Sequence, residues 1–379
     1  MGLTSGTVMA LSALLAVVLF AGTVCLWPWL AGRTWRAVTG RVALLLATQL
    51  AIFVSVGLAA NRAGGFYASW ADLLGREQGQ GVVVDHTASG ASGSIRVLGT
   101  QQLGTQQGNV PGGSRPSVGG QIQKIGIVGG ESHIATRAYV YLPPEYFQPR
   151  YRSRTFPAAV VLTGYPGTAE SLIRNLRYPQ TAYEQARNGR MQPMILVMLR
   201  PTVAPPRDTE CVDVPGGPAT ETFFAEDLPN AVSGHYRVGR RPGGWGIIGA
   251  STGGYCALKI ALHHPDAYAA GAGLSAHYRA PVDFTTGDLF HGDEELRKRA
   301  DLMWYLDHMP APRTSLLVTT SRHGEANYPA TMRFIDRARS RPPTRISSIT
   351  LGTGGHNVST WRREIPPALV WLSGRLSAG

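Results

Sequence analysis

Residues 245–254 read Trp-Gly-Ile-Ile-Gly-Ala-Ser-Thr-Gly-Gly, an apolar run that ends in a turn of small residues. A helix-type run, residues 255–264, follows directly. The pentapeptide thus fits the pattern G-x-S-x-G in a strand-turn-helix setting, where the serine occupies a strained turn and its hydroxyl is exposed. Gly249 and Gly253 form the nucleophile elbow, because the strand and the helix can approach closely only if these positions lack side chains. We predict that Ser251 is a nucleophile for acyl-transfer chemistry.

A serine hydroxyl needs a base to take its proton, and with this motif the acid and then the histidine follow the serine along the chain. His356 lies in the Gly-rich loop after the last predicted strand and is the predicted base, with His323 as the alternative. For the acid we choose Glu325, in the loop after the penultimate strand, and Asp336 on the next helix is the alternative. The predicted triad is Ser251, Glu325 and His356.

The oxyanion of an acyl-transfer intermediate needs two backbone N–H donors that are already in position. One is expected from Thr252, directly after the nucleophile. The other is expected from the loop after the third predicted strand, where Tyr165 is the candidate because the following Pro166 has no N–H.

From residue 121 onward, short β-type runs alternate with helix-type runs, which favours a mostly parallel sheet covered by helices on both faces. Eight strands are predicted: Ile122 to Val128, Thr136 to Leu142, Ala158 to Thr163, Met194 to Leu199, Trp245 to Gly249, Ala269 to Leu274, Ser315 to Thr320 and Arg345 to Leu351. Helices are predicted at Glu221 to Val232, Thr252 to His264, Asp293 to Leu306, Pro329 to Arg339 and Trp361 to Leu376. With the serine motif, this pattern predicts an α/β-hydrolase fold as the catalytic domain, residues 121–379.

The N-terminal part of the chain differs in composition from the rest, since residues 1–32 contain no charged side chain. Val8 to Leu30 and Val42 to Ala60 are each long enough to cross a bilayer as a helix, so we predict two transmembrane helices in a membrane anchor, residues 1–75. A cleaved signal peptide is the competing interpretation, but it requires a positive N-terminus and a shorter apolar core.

The loop between the two spans carries Arg33, Arg36 and Arg41, whereas the first seven residues carry no basic side chain. By the positive-inside rule the loop is cytoplasmic. We therefore expect a protein of the cytoplasmic membrane with both termini and the catalytic domain on the extracytoplasmic side. Residues 76–120 are rich in Gly, Gln and Ser and are predicted to be a flexible linker.

The formal net charge is +12, carried mainly by scattered arginines. No basic run is interleaved with aromatic residues, so nucleic acid is not an expected partner. The charge instead favours weak attraction to anionic lipid or to an envelope polymer.

Three cysteines are present, and Cys25 lies in the first apolar segment. A disulfide between Cys211 and Cys256 is one alternative, and a small buried cysteine on a helix is the other. No cysteine spacing suits a metal, and neither a metal nor another cofactor is expected.

The region from residue 121 to 376 resembles the esterase-D-like branch of the α/β hydrolases, which includes the mycobacterial mycolyltransferases and many secreted actinobacterial esterases. The resemblance is carried by residues 139–144, 161–165, 221–224 with 227–229, the Ser251 elbow, 264–265 with 271–276, and 354–356 with Trp361. It implies an ester hydrolase or acyltransferase that uses Ser251, an acid and His356, with backbone donors at Tyr165 and Thr252. Phe334 stands where the mycolyltransferases carry the acid, and the two-helix anchor departs from their cleaved signal.

The leading hypothesis is a membrane-anchored serine esterase or acyltransferase that acts on an acyl ester, with a lipid or cell-envelope glycolipid as the substrate considered. The alternative is a non-catalytic envelope protein with a hydrolase fold that binds lipid or glycan. This alternative gains weight if no carboxylate lies within hydrogen-bond reach of His356.

Overall fold

The structure is a computed structural model, and it describes residues 6–64, 93–102, 115–205 and 207–378. The chain divides into two compact units, residues 1–79 and residues 80–379. Each unit is considered by itself.

The first unit consists of two apolar helices, α1 (Gly6–Leu26) and α2 (Trp35–Gly64). The segments Thr7–Leu26 and Trp35–Asn61 are long and apolar enough to cross a membrane, as a membrane anchor or a signal sequence would be. A polar contact between the two helices joins the hydroxyls of Thr23 and Thr48, 3.1 Å apart.

A helix lies at each of the two predicted spans, but the limits of both helices differ from the prediction. The first helix ends at Leu26 instead of Leu30, because Pro28 disfavours the helical conformation of the residue before it. The second begins at Trp35, so Arg36 and Arg41 lie in the helix and not in the loop predicted between the spans. Arginine favours helices, and the Thr34 hydroxyl accepts a hydrogen bond from the Ala37 N–H at 3.3 Å at this end.

The second unit is built on a nine-stranded sheet with the order β1-β2-β3-β5-β4-β6-β7-β8-β9. The strands are β1 (Ser94–Gln102), β2 (Gln121–Val128), β3 (Ala135–Leu142), β4 (Ala158–Leu162), β5 (Ile195–Leu199), β6 (Trp245–Ala250), β7 (Ala270–Leu274), β8 (Ser315–His323) and β9 (Arg345–Thr353). Strands β1, β2, β3 and β5 pair antiparallel, and β5, β4, β6, β7, β8 and β9 pair parallel. This is the mostly parallel α/β-hydrolase architecture that the sequence predicts.

The count of eight strands was one too low, because β1 was missed. It lies inside the range predicted as a flexible linker, 76–120, of which residues 76–92 and 103–114 lie outside the described residues. Its Gly and Gln residues have little strand preference of their own, and pairing with β2 and packing of Ile95 against the core hold it in place.

Helices cover both faces of the sheet. They are Pro116–Gly119, Ala169–Arg174, Tyr178–Arg187, the consecutive segments Thr220–Thr222, Phe223–Asp227 and Leu228–His235, then Thr252–His263, Glu294–Arg299, Leu302–His308, Tyr328–Arg339 and Val358–Ser373. Short 3-10 turns occupy Pro144–Phe147, Pro149–Tyr151 and Pro242–Gly244. The helix predicted over Asp293 to Leu306 divides in two, because the Asp301 carboxylate accepts from the N–H groups of Met303 and Trp304 and starts a new helix there.

Two helices position the site. Thr252–His263, the nucleophile helix, packs on one face of the sheet, and Val358–Ser373, the C-terminal helix, packs on the other. Every residue of β4, β5, β6 and β7 is buried, as expected for parallel strands covered on both sides. The carboxyl ends of these strands therefore form a rigid edge on which short loops can hold reactive groups.

Candidate active site

Ser251 lies between β6 and the nucleophile helix in a strained backbone conformation, with φ 57° and ψ −123°. The two flanking glycines are sterically required. A Cβ atom on Gly249 would lie 2.3 Å from the carbonyl oxygen of Gly253, and one on Gly253 would lie 2.2 Å from the carbonyl oxygen of Thr163. The chain thus holds the Ser251 hydroxyl on a tight turn at the edge of the sheet, as the motif predicts.

The Nε2 atom of His356 lies 2.9 Å from the Oγ atom of Ser251. His356 sits on the loop between β9 and the C-terminal helix, and hydrogen bonds within that loop fix it. The Gly355 N–H donates to the Thr360 hydroxyl at 2.9 Å, and Asn357 caps the helix by accepting from the Thr360 N–H at 3.1 Å. The predicted nucleophile and base are therefore in hydrogen-bond contact although 105 residues separate them.

The ring of His356 is partly shielded from water but remains exposed. Partial desolvation lowers the pKa of this imidazole, Glu325 acts in the opposite direction, and His277 lowers the pKa further. Because the pKa is below its ordinary value, the ring is neutral at pH 7 and can accept the proton of Ser251.

Glu325 is buried, and its two oxygens are held by groups other than His356. Oε1 accepts a short hydrogen bond from the hydroxyl of Ser275, and Oε2 accepts from the N–H of Ser321 at 2.9 Å. The direct hydrogen bond that we expected between Glu325 and His356 is not formed, and no other described carboxylate hydrogen-bonds His356. Glu325 acts on the imidazole through its charge.

Trp361 links the acid to the base. Its indole N–H donates to the Ser275 hydroxyl at 3.0 Å, and its ring meets the His356 ring edge-on with centroids 5.3 Å apart. Ser275 and Trp361 both belong to the residues that carry the family resemblance, but no local pattern indicates that they contact Glu325 and His356. Only the fold brings β7 and the C-terminal helix together here.

A second buried carboxyl group lies close to Glu325, and sequence reasoning missed it. Glu364 is fully buried on the C-terminal helix, and burial raises its pKa to about 8, with the negative charge of Glu325 adding to the effect. Glu364 is therefore mainly protonated at pH 7 and adds little negative charge beside Glu325.

The loop after β4 lies against the nucleophile. A Cβ atom added to Gly164 would lie 3.1 Å from the Cβ atom of Ser251. Tyr165 follows in this loop, and Thr252 is the first residue of the nucleophile helix, so both predicted oxyanion donors flank the serine in sequence or in space. Their role as donors stays a prediction.

The other residues that we weighed lie elsewhere. Asp336, the alternative acid, projects from an exposed helix face and pairs with Arg339 at 3.2 Å. His323, the alternative base, is exposed at the end of β8. Phe334 is fully buried and stacks on Tyr278 with ring centroids 4.4 Å apart, so an acid at that position would lie inside the core.

Cys211 and Cys256 are joined by a disulfide with Cα atoms 5.7 Å apart. The bond ties the insertion at residues 201–219 to the nucleophile helix, five residues after the serine. Cys25 is a free, exposed cysteine on α1. Within the described ranges, no group of three or more His, Cys, Asp or Glu side chains is arranged to hold a metal ion.

Residues 133–372 match a family model described as "Putative esterase", which covers more than half of the chain. The chain belongs to this esterase family. An uncharacterized protein of Corynebacterium glutamicum is 26% identical over 261 residues, which is 64% of this chain and 58% of that protein. The matched region thus spans less than two thirds of that relative.

Solved structures share the fold of this esterase family member. One is a ferulic acid esterase, with a TM-score of 0.56 and 17% identity, and the match covers 67% of this chain and 98% of the other. Another is an S-formylglutathione hydrolase from Agrobacterium tumefaciens, with a TM-score of 0.54 and 16% identity, and the match covers 68% of this chain and 96% of the other. A fluorophosphonate-binding serine hydrolase from Staphylococcus aureus is also similar (0.55, 18%, 67% and 98%). At these identities the likeness supports the fold alone.

Proposed function

We propose that the protein is a membrane-anchored serine esterase or acyltransferase that acts on an acyl ester outside the cytoplasmic membrane. The observation that carries the proposal is the 2.9 Å contact between the Ser251 hydroxyl on its strained elbow and the His356 imidazole. Membership of the esterase family supports the same chemistry.

In the proposed reaction, Ser251 Oγ attacks the ester carbonyl while His356 Nε2 takes the hydroxyl proton. The N–H groups of Thr252 and Tyr165 stabilise the oxyanion. His356 then gives the proton to the leaving alcohol, and an acyl-enzyme remains on Ser251. Water or a second alcohol attacks this ester with His356 again as the base, which restores the free serine.

In this scheme Glu325 acts without a direct hydrogen bond to His356. Its charge favours the imidazolium form of His356 during both proton transfers, since it acts to raise the pKa of that ring. Ser275 and Ser321 fix the carboxylate, and Trp361 connects Ser275 with the imidazole. We propose that the acid stabilises the charged base electrostatically and that Trp361 orients the ring.

The proposed location is supported by three features. The two apolar helices are long enough to span a bilayer, and the basic residues Arg33, Arg36 and Arg41 lie between them or in the first turns of α2. The disulfide between Cys211 and Cys256 suits an oxidising compartment. A lipid or glycolipid ester of the cell envelope is the substrate class that fits an anchored enzyme on that side.

A fluorophosphonate probe tests the chemistry. We expect the full-length chain in detergent to be labelled on Ser251, and the Ser251→Ala variant to remain unlabelled. A folded wild-type chain that takes up no probe would contradict the proposal. Protease added to intact spheroplasts tests the location, since labelled domain should be digested from outside only if it lies beyond the membrane.

The absence of a carboxylate hydrogen bond to His356 among the described residues favours a second candidate function. In that case the fold binds a lipid or glycan of the envelope without turnover. This candidate requires that Ser251→Ala leaves binding and the cellular phenotype unchanged, whereas the enzyme proposal requires loss of the phenotype. The same variant therefore separates the two.

A further inference from the structure

A second histidine lies beside the nucleophile elbow. His277 follows β7, and its ring stacks on Tyr255 with centroids 4.8 Å apart and planes 19° apart. Tyr255 is in the first turn of the nucleophile helix, where its N–H donates to the Ser251 carbonyl at 3.0 Å. The Ser251 N–H donates to the carbonyl oxygen of Leu274, the last residue of β7, at 2.9 Å, so the segment that carries His277 begins at the elbow. The imidazole is about one third exposed, at 33%.

A buried carboxylate holds this ring. The Nε2 atom of His277 lies 3.1 Å from Oε2 of Glu210, whose side chain is only 2% exposed. Glu210 and Cys211 have φ values of 46° and 52°, so two successive non-glycine residues adopt the left-handed region. Such backbone costs free energy and persists only where the surrounding structure fixes it.

Two contacts provide that fixation. Cys211 is bonded to Cys256 of the nucleophile helix, and its carbonyl oxygen accepts from the Lys259 ammonium at 2.6 Å. A further buried carboxyl group, that of Asp208, accepts from the Glu210 N–H at 3.2 Å. The disulfide and the Lys259 hydrogen bond thus hold the insertion, with Glu210 and Asp208, against the nucleophile helix.

The carboxylate sets the chemistry of the ring. The contact between Nε2 and Glu210 fixes one nitrogen of the ring, and no protein group in the described ranges hydrogen-bonds the other, Nδ1. Nδ1 is thus an oriented polar atom that is left for a hydroxyl group of a ligand.

The geometry points to His277 and Glu210 as an alcohol-side subsite, which binds a hydroxyl group of the alcohol part of the ester next to the scissile bond. The ligand class is a polyol or sugar alcohol, because a hydroxyl group can donate to Nδ1 or accept from it. This inference rests on the proposed function and deepens it by naming the alcohol class. The reacting proton still passes only between Ser251, His356 and the leaving or attacking oxygen.

Two esters with the same acyl chain test the subsite. 1-Butyrylglycerol carries free hydroxyls on its alcohol, and p-nitrophenyl butyrate carries none. The measurement is the ratio of kcat/KM for the glycerol ester to kcat/KM for the nitrophenyl ester, with full-length chain in detergent. The variant is His277→Phe, which keeps a stacking ring, and His277→Gln serves if the first variant does not fold.

His308 provides a matched control, since its ring also stacks on an aromatic residue, Trp304, at 4.4 Å and belongs to neither the catalytic pair nor the subsite. We expect His277→Phe to lower the ratio about five-fold or more, the effect of one lost hydrogen bond, because any effect on His356 is common to both esters and cancels in the ratio. His308→Phe should leave the ratio unchanged.

Two results would overturn the subsite: an unchanged ratio in both His277 variants, or an equal fall for both esters, which marks a purely structural role. Failure of the proposed function gives a different result. In that case the wild-type chain hydrolyses neither ester and Ser251 takes up no fluorophosphonate, and the subsite falls with it.

Discussion

Glutamate and histidine side chains lie at both ends of the nucleophile helix. At the C-terminal end the glutamate bonds the histidines, whereas at the N-terminal end it does not. At the C-terminal end, Glu221 is bonded to Lys259 at 2.6 Å, His263 at 2.7 Å and His264 at 3.1 Å. Burial alone would raise the pKa of Glu221, but Lys259 and the two imidazoles outweigh it and hold the pKa well below its ordinary value. This end is a closed ionic cluster.

At the N-terminal end, the glutamate and the histidine are not hydrogen-bonded to each other. His356 contacts the Ser251 hydroxyl, and the carboxylate of Glu325 is held near the ring by Ser275 and Ser321 without bonding it. A cluster whose members all bond a shared carboxylate stabilises the fold, whereas a histidine that has no carboxylate partner and contacts a hydroxyl can take a proton. Only the N-terminal cluster lies at the carboxyl edge of the sheet, where loops leave room for a substrate.

The largest effect is expected from Ser251→Ala, which removes the reactive group of the N-terminal end. Ester hydrolysis should fall by at least about 10⁴-fold, because the loss of a nucleophile leaves only oxyanion stabilisation and binding. Thermal unfolding measured alongside should not change. A variant that keeps a tenth of the wild-type activity would break the distinction between the two ends.

The matching change at the C-terminal end is Lys259→Met, which leaves Glu221 buried without its cation. The free energy of unfolding should fall by about 3–5 kcal/mol, as for other broken buried ion pairs. Urea unfolding measures this, and the folded fraction should keep normal activity. Arg339→Met is the control, since its pair with Asp336 is exposed and should contribute less than about 1 kcal/mol.

Glu325→Gln removes the charge that favours the imidazolium form of His356. We expect kcat to fall about 10- to 100-fold, less than for a directly bonded triad acid, where the loss is about 10⁴-fold. Steady-state kinetics on a soluble ester measures it. Asp336→Asn should have no effect, and a fall for Asp336→Asn but not Glu325→Gln would reverse our choice of acid.

Ser275→Ala tests the link between the acid and Trp361. Losing this hydrogen bond should lower kcat about three- to ten-fold without changing KM, because the substrate does not touch Ser275. If KM rises instead while kcat is unchanged, Ser275 shapes the substrate pocket and not the acid.

The smallest effect is the response to pH. The pKa of His356 is lowered, so kcat/KM should rise with pH and reach its plateau with an apparent pKa below 6.5. The pKa of His263 is also lowered by burial, so the unfolded chain binds a proton that the folded chain excludes. Stability should therefore fall as pH drops below about 6.5, and Glu221, whose folded pKa is low, adds a further loss at more acidic pH.

Much of this architecture follows from local pattern. The elbow around Ser251 is encoded by five consecutive residues, and the Gly-rich loop before the C-terminal helix marks His356. The parallel strands are short apolar runs, so their positions agree with the prediction to within a few residues. These features need no knowledge of what packs against them.

The parts that the sequence did not predict depend on contacts between distant segments. Strand β1 has a weak pattern and exists because β2 pairs with it. The partners of Glu325 come from β7 and from the end of β8, and the carboxylate of Glu210 reaches His277 across 67 residues. No local sequence pattern indicates such pairings. The partners of Glu325 could therefore not be seen in the sequence, and we predicted a bond to His356 instead.

Strand β1 is the first element of the sheet after the apolar helices, and it lies at the outer margin of the strand order. In the membrane-anchored protein that we propose, a mechanical pull from the bilayer would reach β1 before the other described strands, and the hydrogen bonds between β1 and β2 would bear it first. Strands β6, β8 and β9, which carry or lead into the reactive groups, lie several strands away from β1 in the sheet. Loss of β1 under such a force would therefore leave the strands around the catalytic pair in place.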